Sequence, residues 1–154
     1  MSVEIERRFL LKNDNWRQLV KKSVDMKQGY MSVEKECTVR IRIIGNDAWI
    51  TIKGFISNVS RHEFEYQIPL NDAQTMLNEL CAFSLTKTRH IVEIDNYSFE
   101  IDEYHEKNAP LIIAELELQD ENQKYPQPSW LGEEITSDGR YSNAYLSLHP
   151  YSSW

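Results

Sequence analysis

The segment Val3–Leu11 constrains the fold most, because apolar and charged residues alternate along it. Its apolar positions are Val3, Ile5, Phe9 and Leu11. The other positions carry Glu4, Glu6 and Arg8 in one row, since successive side chains of a strand point to opposite faces. Two carboxylates about 7 Å apart on one face can share a hard cation. Taken alone, such a strand is more typical of a solvated outer face.

The same alternation recurs along the chain. Acidic faces carry Glu63 and Glu65, Glu100 and Asp102, and Glu115 and Glu117. Basic faces carry Arg40 and Arg42, Lys53, and Lys87 and Arg89. Turn residues at 45–47 and 95–96 separate neighbouring strands. About eight strands result, which predicts a mainly β (α+β) fold, an antiparallel barrel or sandwich with helices outside.

Three short helices interrupt the strands. The first is predicted from Trp16 to about Ser23, after a cap at Asn13-Asp14-Asn15. The second is predicted after a cap at Asn71-Asp72, with an apolar stripe of Met76, Leu77 and Leu80. The third is predicted near Ser142–Leu148.

The charged faces leave two arrangements open. In one, the apolar faces pack outward and the charged faces line a wet tunnel that holds a charged ligand, because a dry interior could not hold unpaired charges. In the other, the apolar faces pack together in two layers and the charges lie in water. A ligand that needs both sets of charges is itself constrained. Basic side chains bind phosphate oxygens, and carboxylates tolerate phosphate when Mg²⁺ or Mn²⁺ lies between them, so a polyphosphate bound with metal is predicted.

Size and composition narrow the class of protein. The 154 residues predict a single domain, 1–154, without a linker. The net charge of −7 argues against general nucleic-acid binding, and no apolar run is long enough for a membrane span. We expect a cytoplasmic protein, because no leader fits before the first strand and because Cys37 and Cys81 match no metal spacing and are expected to be reduced thiols. Both a monomer and a homodimer remain open.

An ordered set of motifs resembles the triphosphate tunnel metalloenzymes, the CYTH superfamily. Residues 4–9, Glu-Ile-Glu-Arg-Arg-Phe, resemble its Glu-x-Glu-x-Lys signature. The set continues through residues 28–30, 40–42, 51–53, 61–65, 87–89, 99–102, 115–117, 132–136 and 140–141, and covers almost the whole chain. It is most similar to short bacterial members that hydrolyse inorganic tripolyphosphate.

The resemblance implies an eight-stranded antiparallel closed barrel with a charged interior. It implies that metal is held by Glu4, Glu6 and Glu117, with Glu115, Asp102, Glu63 and Glu65 as candidates for a second metal or its water shell. It implies that the phosphate chain is clamped by Arg40, Arg42, Lys53, Lys87, Arg89 and Arg140, with Tyr30 beside the signature's last position. Expected catalytic roles fall on Glu63, which would orient a water, and on Lys87, which would stabilise developing charge or receive a proton.

Arg8 stands where the signature has lysine, so positive charge is kept but the proton cannot be given up. Arg8 is therefore expected to bind phosphate and is the third residue with an expected catalytic role. If the family's lysine must become neutral at some step, this protein would be impaired or would use Lys87 instead. The expected reaction is metal-dependent hydrolysis of a small-molecule triphosphate to pyrophosphate and phosphate. The alternatives are a class IV adenylate cyclase, a thiamine or nucleoside triphosphatase, and a non-catalytic polyphosphate-binding module.

Overall fold

The computed structural model describes residues 3–154, so the first two residues of the predicted domain lie outside it. Nine strands follow in chain order: β1 (Val3–Leu11), β2 (Val20–Glu34), β3 (Cys37–Ile44), β4 (Asp47–Phe55), β5 (Ser60–Ile68), β6 (Phe83–Ile94), β7 (Tyr97–Tyr104), β8 (Ile112–Leu118) and β9 (Leu131–Glu134). Eight of them form a closed ring in the order β1-β5-β4-β3-β2-β6-β7-β8, and β8 pairs again with β1. Every pairing is antiparallel, so the predicted eight-stranded closed barrel is confirmed.

Strand β1 has three neighbours. Along one edge, residues 5–10 pair with β8. Along the other edge, residues 3–5 pair with β5, and Phe9 and Leu11 pair with β9. Strand β9 therefore pairs with the C-terminal part of the same edge of β1 whose N-terminal part pairs with β5. The chain then stays close to β1, because the backbone N–H of Ile135 donates to the carbonyl of Arg8 at 2.8 Å.

The apolar faces of the strands pack outward under short covering segments. Trp16, in a 3₁₀ helix at Asn15–Leu19, is fully buried against Val92 and Phe99 of the barrel wall. Helix α1 (Leu70–Thr75), which continues as a π-helical turn to Leu80, covers β3 and β4. Because the apolar faces are covered from outside, the opposite faces of the strands enclose the interior.

One part of the interior is itself apolar. Ile113, on the inward face of β8, packs with Leu85 and Tyr104. Helix α2 (Asn143–Leu148) adds the buried side chain of Leu146 to this cluster. The helix lies near the position predicted for it, and Ser142 caps it by accepting a hydrogen bond from the Tyr145 N–H at 3.1 Å.

Two helix predictions need correction. The helix expected from Trp16 to Ser23 ends at Leu19, because Val20 already begins the long strand β2, which pairs with β6. The predicted cap at Asn71-Asp72 is also wrong, since α1 begins at Leu70 after Pro69 and has no side-chain cap. Further 3₁₀ helices lie at Glu106–Asn108, Gly139–Tyr141 and Tyr151–Ser153. Within residues 3–154, no helix is both long and apolar enough to cross a membrane.

Both predicted hairpin turns are present. Asp95 and Asn96 link β6 to β7 with φ of 50° and 67°, the positive values that a type I′ turn requires at both central positions. Gly45 has φ of 60° between β3 and β4, a conformation that glycine adopts without a steric penalty.

Candidate active site

The charged faces of the strands line an internal cavity of about 560 Å³. Twelve of the predicted site residues line it: Glu4, Glu6, Arg8, Tyr30, Arg40, Arg42, Lys53, Glu63, Glu65, Arg89, Glu115 and Glu117. Tyr30 lies on β2, and the other eleven come from the charged side of an alternating strand, so strand alternation within the closed barrel places them together. The alternative of two apolar layers with these charges in open water is therefore wrong.

Three predicted site residues do not line the cavity. Lys87 and Asp102 are fully buried and pair with each other at 2.6 Å. The side chain of Arg140 is 59% exposed and pairs at 2.7 Å with Asp138, two residues before it. Arg140 lies in a 3₁₀ helix rather than a strand, so strand alternation could not direct its side chain inward.

One side of the cavity, which we call the acidic wall, is lined by carboxylates of β1, β7 and β8: Glu4, Glu6, Glu100, Glu115 and Glu117. Glu6 and Glu117 lie at its centre. They are directly opposed on the antiparallel strands β1 and β8. Within residues 3–154, neither side chain has a hydrogen bond or an ion pair. Burial and then the nearby carboxylates, Glu4 first, raise the pKa of Glu117 above its ordinary value. Opposed like charges destabilise a sheet, so this pair favours a cation between or beside its carboxylates.

Arg89 holds the adjoining part of the acidic wall. Its guanidinium donates from Nη1 to Glu100 at 3.0 Å and from Nη2 to Glu115 at 3.3 Å. Burial raises the pKa of Glu100 despite the opposing effect of Arg89. Burial would also raise the pKa of Glu115, but Arg8 and Arg89 are among the cations that lower it instead. Glu115 is thus an ionised carboxylate whose charge is balanced by neighbouring arginines, unlike Glu117.

The basic wall lies on β3 and β4 and is joined to carboxylates of neighbouring strands. The Lys53 ammonium lies 2.7 Å from Glu4 and 3.6 Å from Glu63. Nη2 of Arg40 lies 3.4 Å from Glu65, and Thr51 donates to the same Glu65 oxygen at 2.8 Å. These contacts hold the basic side chains in fixed positions around the cavity.

Arg42 is positioned by polar side chains of β2. Its Nε donates to Gln28 at 3.0 Å, and the Gln28 amide donates in turn to the Tyr30 hydroxyl at 3.0 Å. Burial, helped by the nearby Arg40, lowers the pKa of Arg42 to about 10. A guanidinium destabilised in this way gains from any anion that enters the cavity.

Arg8 is 7% exposed and presents unused hydrogen-bond donors. Nη1 donates to the carbonyl of Tyr141 at 2.7 Å. Nε and Nη2, which we call the free edge of Arg8, have no hydrogen-bond partner among the described residues. The nearest Glu115 oxygen is 4.0 Å from Nε, beyond hydrogen-bonding distance. Buried donors are almost always paired, so this edge is suited to an anion with two oxygens, such as a phosphate.

Arg61 and Glu100 are charged residues of the cavity wall that the predicted site missed although they lie on alternating strands. Arg61 shares the inward face of β5 with Glu63, and its Nε also lacks a partner among the described residues. Glu100 shares the inward face of β7 with Asp102 but lies nearer the open cavity. The alternation carried the signal for both: Arg61 is two residues before Glu63, and Glu100 is two residues before Asp102.

Comparisons with known proteins agree with this geometry. The family model for the CYTH domain matches residues 2–144. An inorganic triphosphatase of Acetivibrio thermocellus is 37% identical over 155 residues, covering 100% of this chain and 99% of that protein. An inorganic triphosphatase of Nitrosomonas europaea is 32% identical over 149 residues, covering 94% and 97%.

Solved structures share the barrel. The crystal structure of an inorganic triphosphatase superposes with a TM-score of 0.66 at 29% identity, covering 94% of this chain and 97% of that chain. A Hippeastrum protein described as a putative adenylyl cyclase with a dominant triphosphatase activity has a TM-score of 0.56 at 13% identity, covering 78% and 80%. At that identity the second similarity concerns the fold alone.

Proposed function

This chain belongs to the CYTH domain family, and we propose that it is a metal-dependent triphosphatase that hydrolyses inorganic tripolyphosphate to pyrophosphate and phosphate. The observation that carries the proposal is the coexistence of two unsatisfied groups in one cavity. Among residues 3–154, no cationic side chain pairs with Glu6 or Glu117, and the free edge of Arg8 has a carboxylate of Glu115 at 4.0 Å from Nε but no hydrogen-bond acceptor. A polyphosphate that enters with a divalent cation supplies both. The two full-length relatives named inorganic triphosphatase support the choice of substrate.

The carboxylates fit a divalent cation in their chemistry. Among residues 3–154, no three carboxylate, imidazole or thiolate side chains already converge as a complete metal site. Mg²⁺ commonly binds to one or two carboxylates and completes its shell with water and substrate phosphates, so Glu6 and Glu117 suffice as the protein's ligands, with Glu4 beside them. Glu6 and Glu117 would hold Mg²⁺ or Mn²⁺ there, and the ion would offset the negative charge of the phosphate chain.

The seven residues that the sequence predicted as metal ligands have different roles in the proposed site. Glu6 and Glu117 are assigned to the metal, and Glu4, whose Oε1 accepts from Lys53 at 2.7 Å, lies beside them. Glu63 and Glu65, which contact Lys53 and Arg40, would bind the water shell or a second ion. Glu115 and Asp102 are already neutralised by arginine and lysine, so we assign them to holding the basic side chains.

The phosphate chain would be bound by fixed cations. The free edge of Arg8 is assigned to two oxygens of one phosphate, with Arg40, Arg42 and Lys53 along the rest of the chain. Since the arginines remain charged at all working pH values, they stabilise charge rather than move protons. Their prior fixation by Thr51, Gln28 and Tyr141 lowers the cost of organising them around the substrate.

Hydrolysis would proceed by in-line attack of water on the terminal phosphorus. The water oxygen forms the new P–O bond, the bridging oxygen leaves with pyrophosphate, and a carboxylate accepts the water's proton. Glu63 is our candidate for that carboxylate, because it lines the cavity and its contact with Lys53, at 3.6 Å, leaves room for another hydrogen bond.

Nucleoside triphosphates are the second candidate substrates. Tyr145 lines the same cavity, and its side chain is 37% exposed at the edge of the aromatic cluster around Trp154. An exposed ring next to a triphosphate site can stack with a base.

The test is phosphate release from tripolyphosphate, ATP and pyrophosphate with Mg²⁺ or Mn²⁺, together with an assay of cyclic AMP. We expect metal-dependent cleavage of tripolyphosphate, no cleavage of pyrophosphate, and loss of turnover in E6Q. K22M, which changes an exposed lysine of β2 that does not line the cavity, is the matched control and should behave as wild type. Stoichiometric binding without turnover would favour a binding module, cyclic AMP would favour a cyclase, and full activity of E6Q would contradict the metal assignment.

A further inference from the structure

Lys87 lies behind the wall of the cavity rather than in it. Its side chain is fully buried and does not line the cavity. Its ammonium lies 2.6 Å from Asp102 and 5.6 Å from the centre of the Tyr104 ring. A lysine in this position cannot reach a phosphate bound in the cavity unless the wall opens.

Asp102 connects Lys87 to Arg89. One carboxylate oxygen accepts from Arg89 Nε at 2.8 Å, and the other accepts from Lys87 Nζ at 2.6 Å and from Arg89 Nη2 at 2.9 Å. The Nε–Nη2 edge of Arg89, which would bind a phosphate in two-point fashion, is therefore already used. Only Nη1 and a weaker second contact of Nη2 remain for the cavity side, and they hold Glu100 and Glu115.

We propose that Lys87 is a positioning residue that acts through Asp102 and Arg89 to hold the acidic wall, and that it does not touch the substrate. The link to the metal site rests on the proposed function. Glu100 and Glu115 lie opposite each other on β7 and β8, and Glu115 is two residues before Glu117 on the same face. The position of these carboxylates sets the charge and space around the Glu6–Glu117 pair.

Charge balance explains why a lysine is needed there. Asp102, Glu100 and Glu115 carry three negative charges, and Arg89 is the one cation among residues 3–154 that pairs with all three, while Arg8 lies 4.0 Å from Glu115. When K87M removes this charge, a fully buried Asp102 keeps Arg89 as its one counterion among residues 3–154. A buried carboxylate holds its remaining partner more strongly, so Arg89 is drawn toward Asp102 and away from Glu100 and Glu115.

The test compares K87M, D102N and the double variant K87M/D102N with wild type and with the exposed control K22M. Binding of Mn²⁺ is measured by titration calorimetry without substrate. We expect K87M to weaken Mn²⁺ binding about 10- to 100-fold, as for residues that support metal ligands from behind. At saturating Mn²⁺, the KM of K87M for tripolyphosphate should stay near the wild-type value. R42M, which removes a cation that lines the cavity, should raise that KM instead.

The double variant separates indirect action from direct contact. If Lys87 acts only through Asp102, K87M/D102N binds Mn²⁺ no more weakly than the weaker single variant. The proposal would be overturned if the losses of Mn²⁺ affinity in the two single variants multiplied in the double variant. It would also be overturned if K87M raised the KM for tripolyphosphate and left Mn²⁺ binding intact. If K87M fails to fold, Mn²⁺ binding is compared between D102N and the double variant, which removes both buried charges. The two should bind Mn²⁺ equally if Lys87 acts only through Asp102. A wild type without tripolyphosphate turnover would refute the proposed function while the Mn²⁺ titrations still test Lys87.

Discussion

Nη1 of Arg8 donates a hydrogen bond of 2.7 Å to the carbonyl oxygen of Tyr141. This contact joins the first strand of the barrel to the segment before helix α2, 133 residues later in the chain. It uses one nitrogen of the guanidinium and leaves Nε and Nη2 facing no described partner. The orientation of the free edge of Arg8 therefore depends on where the C-terminal segment lies.

Replacing Arg8 tests whether its free edge binds phosphate. We expect R8M to lower kcat/KM for tripolyphosphate about 10- to 100-fold or more, because hydrogen bonds to charged groups contribute roughly 1.5–3 kcal/mol. R8K keeps the charge but loses the two-point geometry, so its activity should lie between R8M and wild type. Steady-state kinetics at saturating Mg²⁺ measure both. An R8K more active than wild type would show instead that a lysine able to lose its proton is favoured at this position.

The inward direction of the charged side chains could be predicted from sequence, because alternation assigns each strand residue to a face. Glu6, Arg40 and Glu117 were placed correctly for this reason. Alternation does not show how far an inward side chain lies from the cavity. It therefore could not separate Arg89, which lines the cavity, from Lys87, which is on the same face of β6 but is fully buried.

Competing periodicities explain the helix error. Trp16, Leu19 and Val20 have helical spacing, but Val24, Met26 and Gln28 lie on one face of the strand that begins at Val20. Pairing of Val20–Ser23 with β6 decides for the strand, and this partner lies about 70 residues away in the sequence.

The pH dependence of metal binding should report the environment of Glu117. Burial and nearby carboxylates raise the pKa of Glu117 in the metal-free protein. A proton therefore competes with Mn²⁺ at higher pH than at an ordinary glutamate, and protonation as the pH falls through this raised pKa stabilises the metal-free fold. We expect Mn²⁺ affinity, measured by calorimetry, to begin falling at a higher pH than it would for a glutamate with an ordinary pKa.

E117Q provides the control for this dependence. It should weaken Mn²⁺ binding at neutral pH and flatten its decrease on acidification. In EDTA, the free energy of unfolding of E117Q should also exceed that of wild type by about 0.2–1 kcal/mol, because opposed like charges are removed. A metal-free E117Q that is less stable than wild type would contradict the repulsion between Glu6 and Glu117.

The docking of β9 on β1 can be tested with a pair of glycines. A Cβ at Gly132 would lie 2.6 Å from the carbonyl oxygen of Leu10, whereas a Cβ at Gly139 would meet nothing within 4 Å. We expect G132A to be destabilised by about 1–3 kcal/mol, because the clash is with backbone. G139A should stay within about 0.5 kcal/mol of wild type. Urea unfolding followed by circular dichroism measures both, and equal stabilities would show that β9 is held loosely.

Tyr145 gives the prediction that separates the two candidate substrates. Its ring lines the cavity and lies 6.5 Å from the ring of Trp154, so a base attached to a bound triphosphate could stack on it. Stacking of a base on an aromatic side chain contributes about 1–3 kcal/mol by alanine substitution. If nucleoside triphosphates are substrates, Y145A should raise the KM for ATP about 5- to 100-fold and leave the KM for tripolyphosphate, which has no base, near wild type. Equal changes for both would show that the ring supports the cavity without contacting a base. A change for tripolyphosphate alone would place Tyr145 against the phosphate chain and remove the argument for a nucleotide.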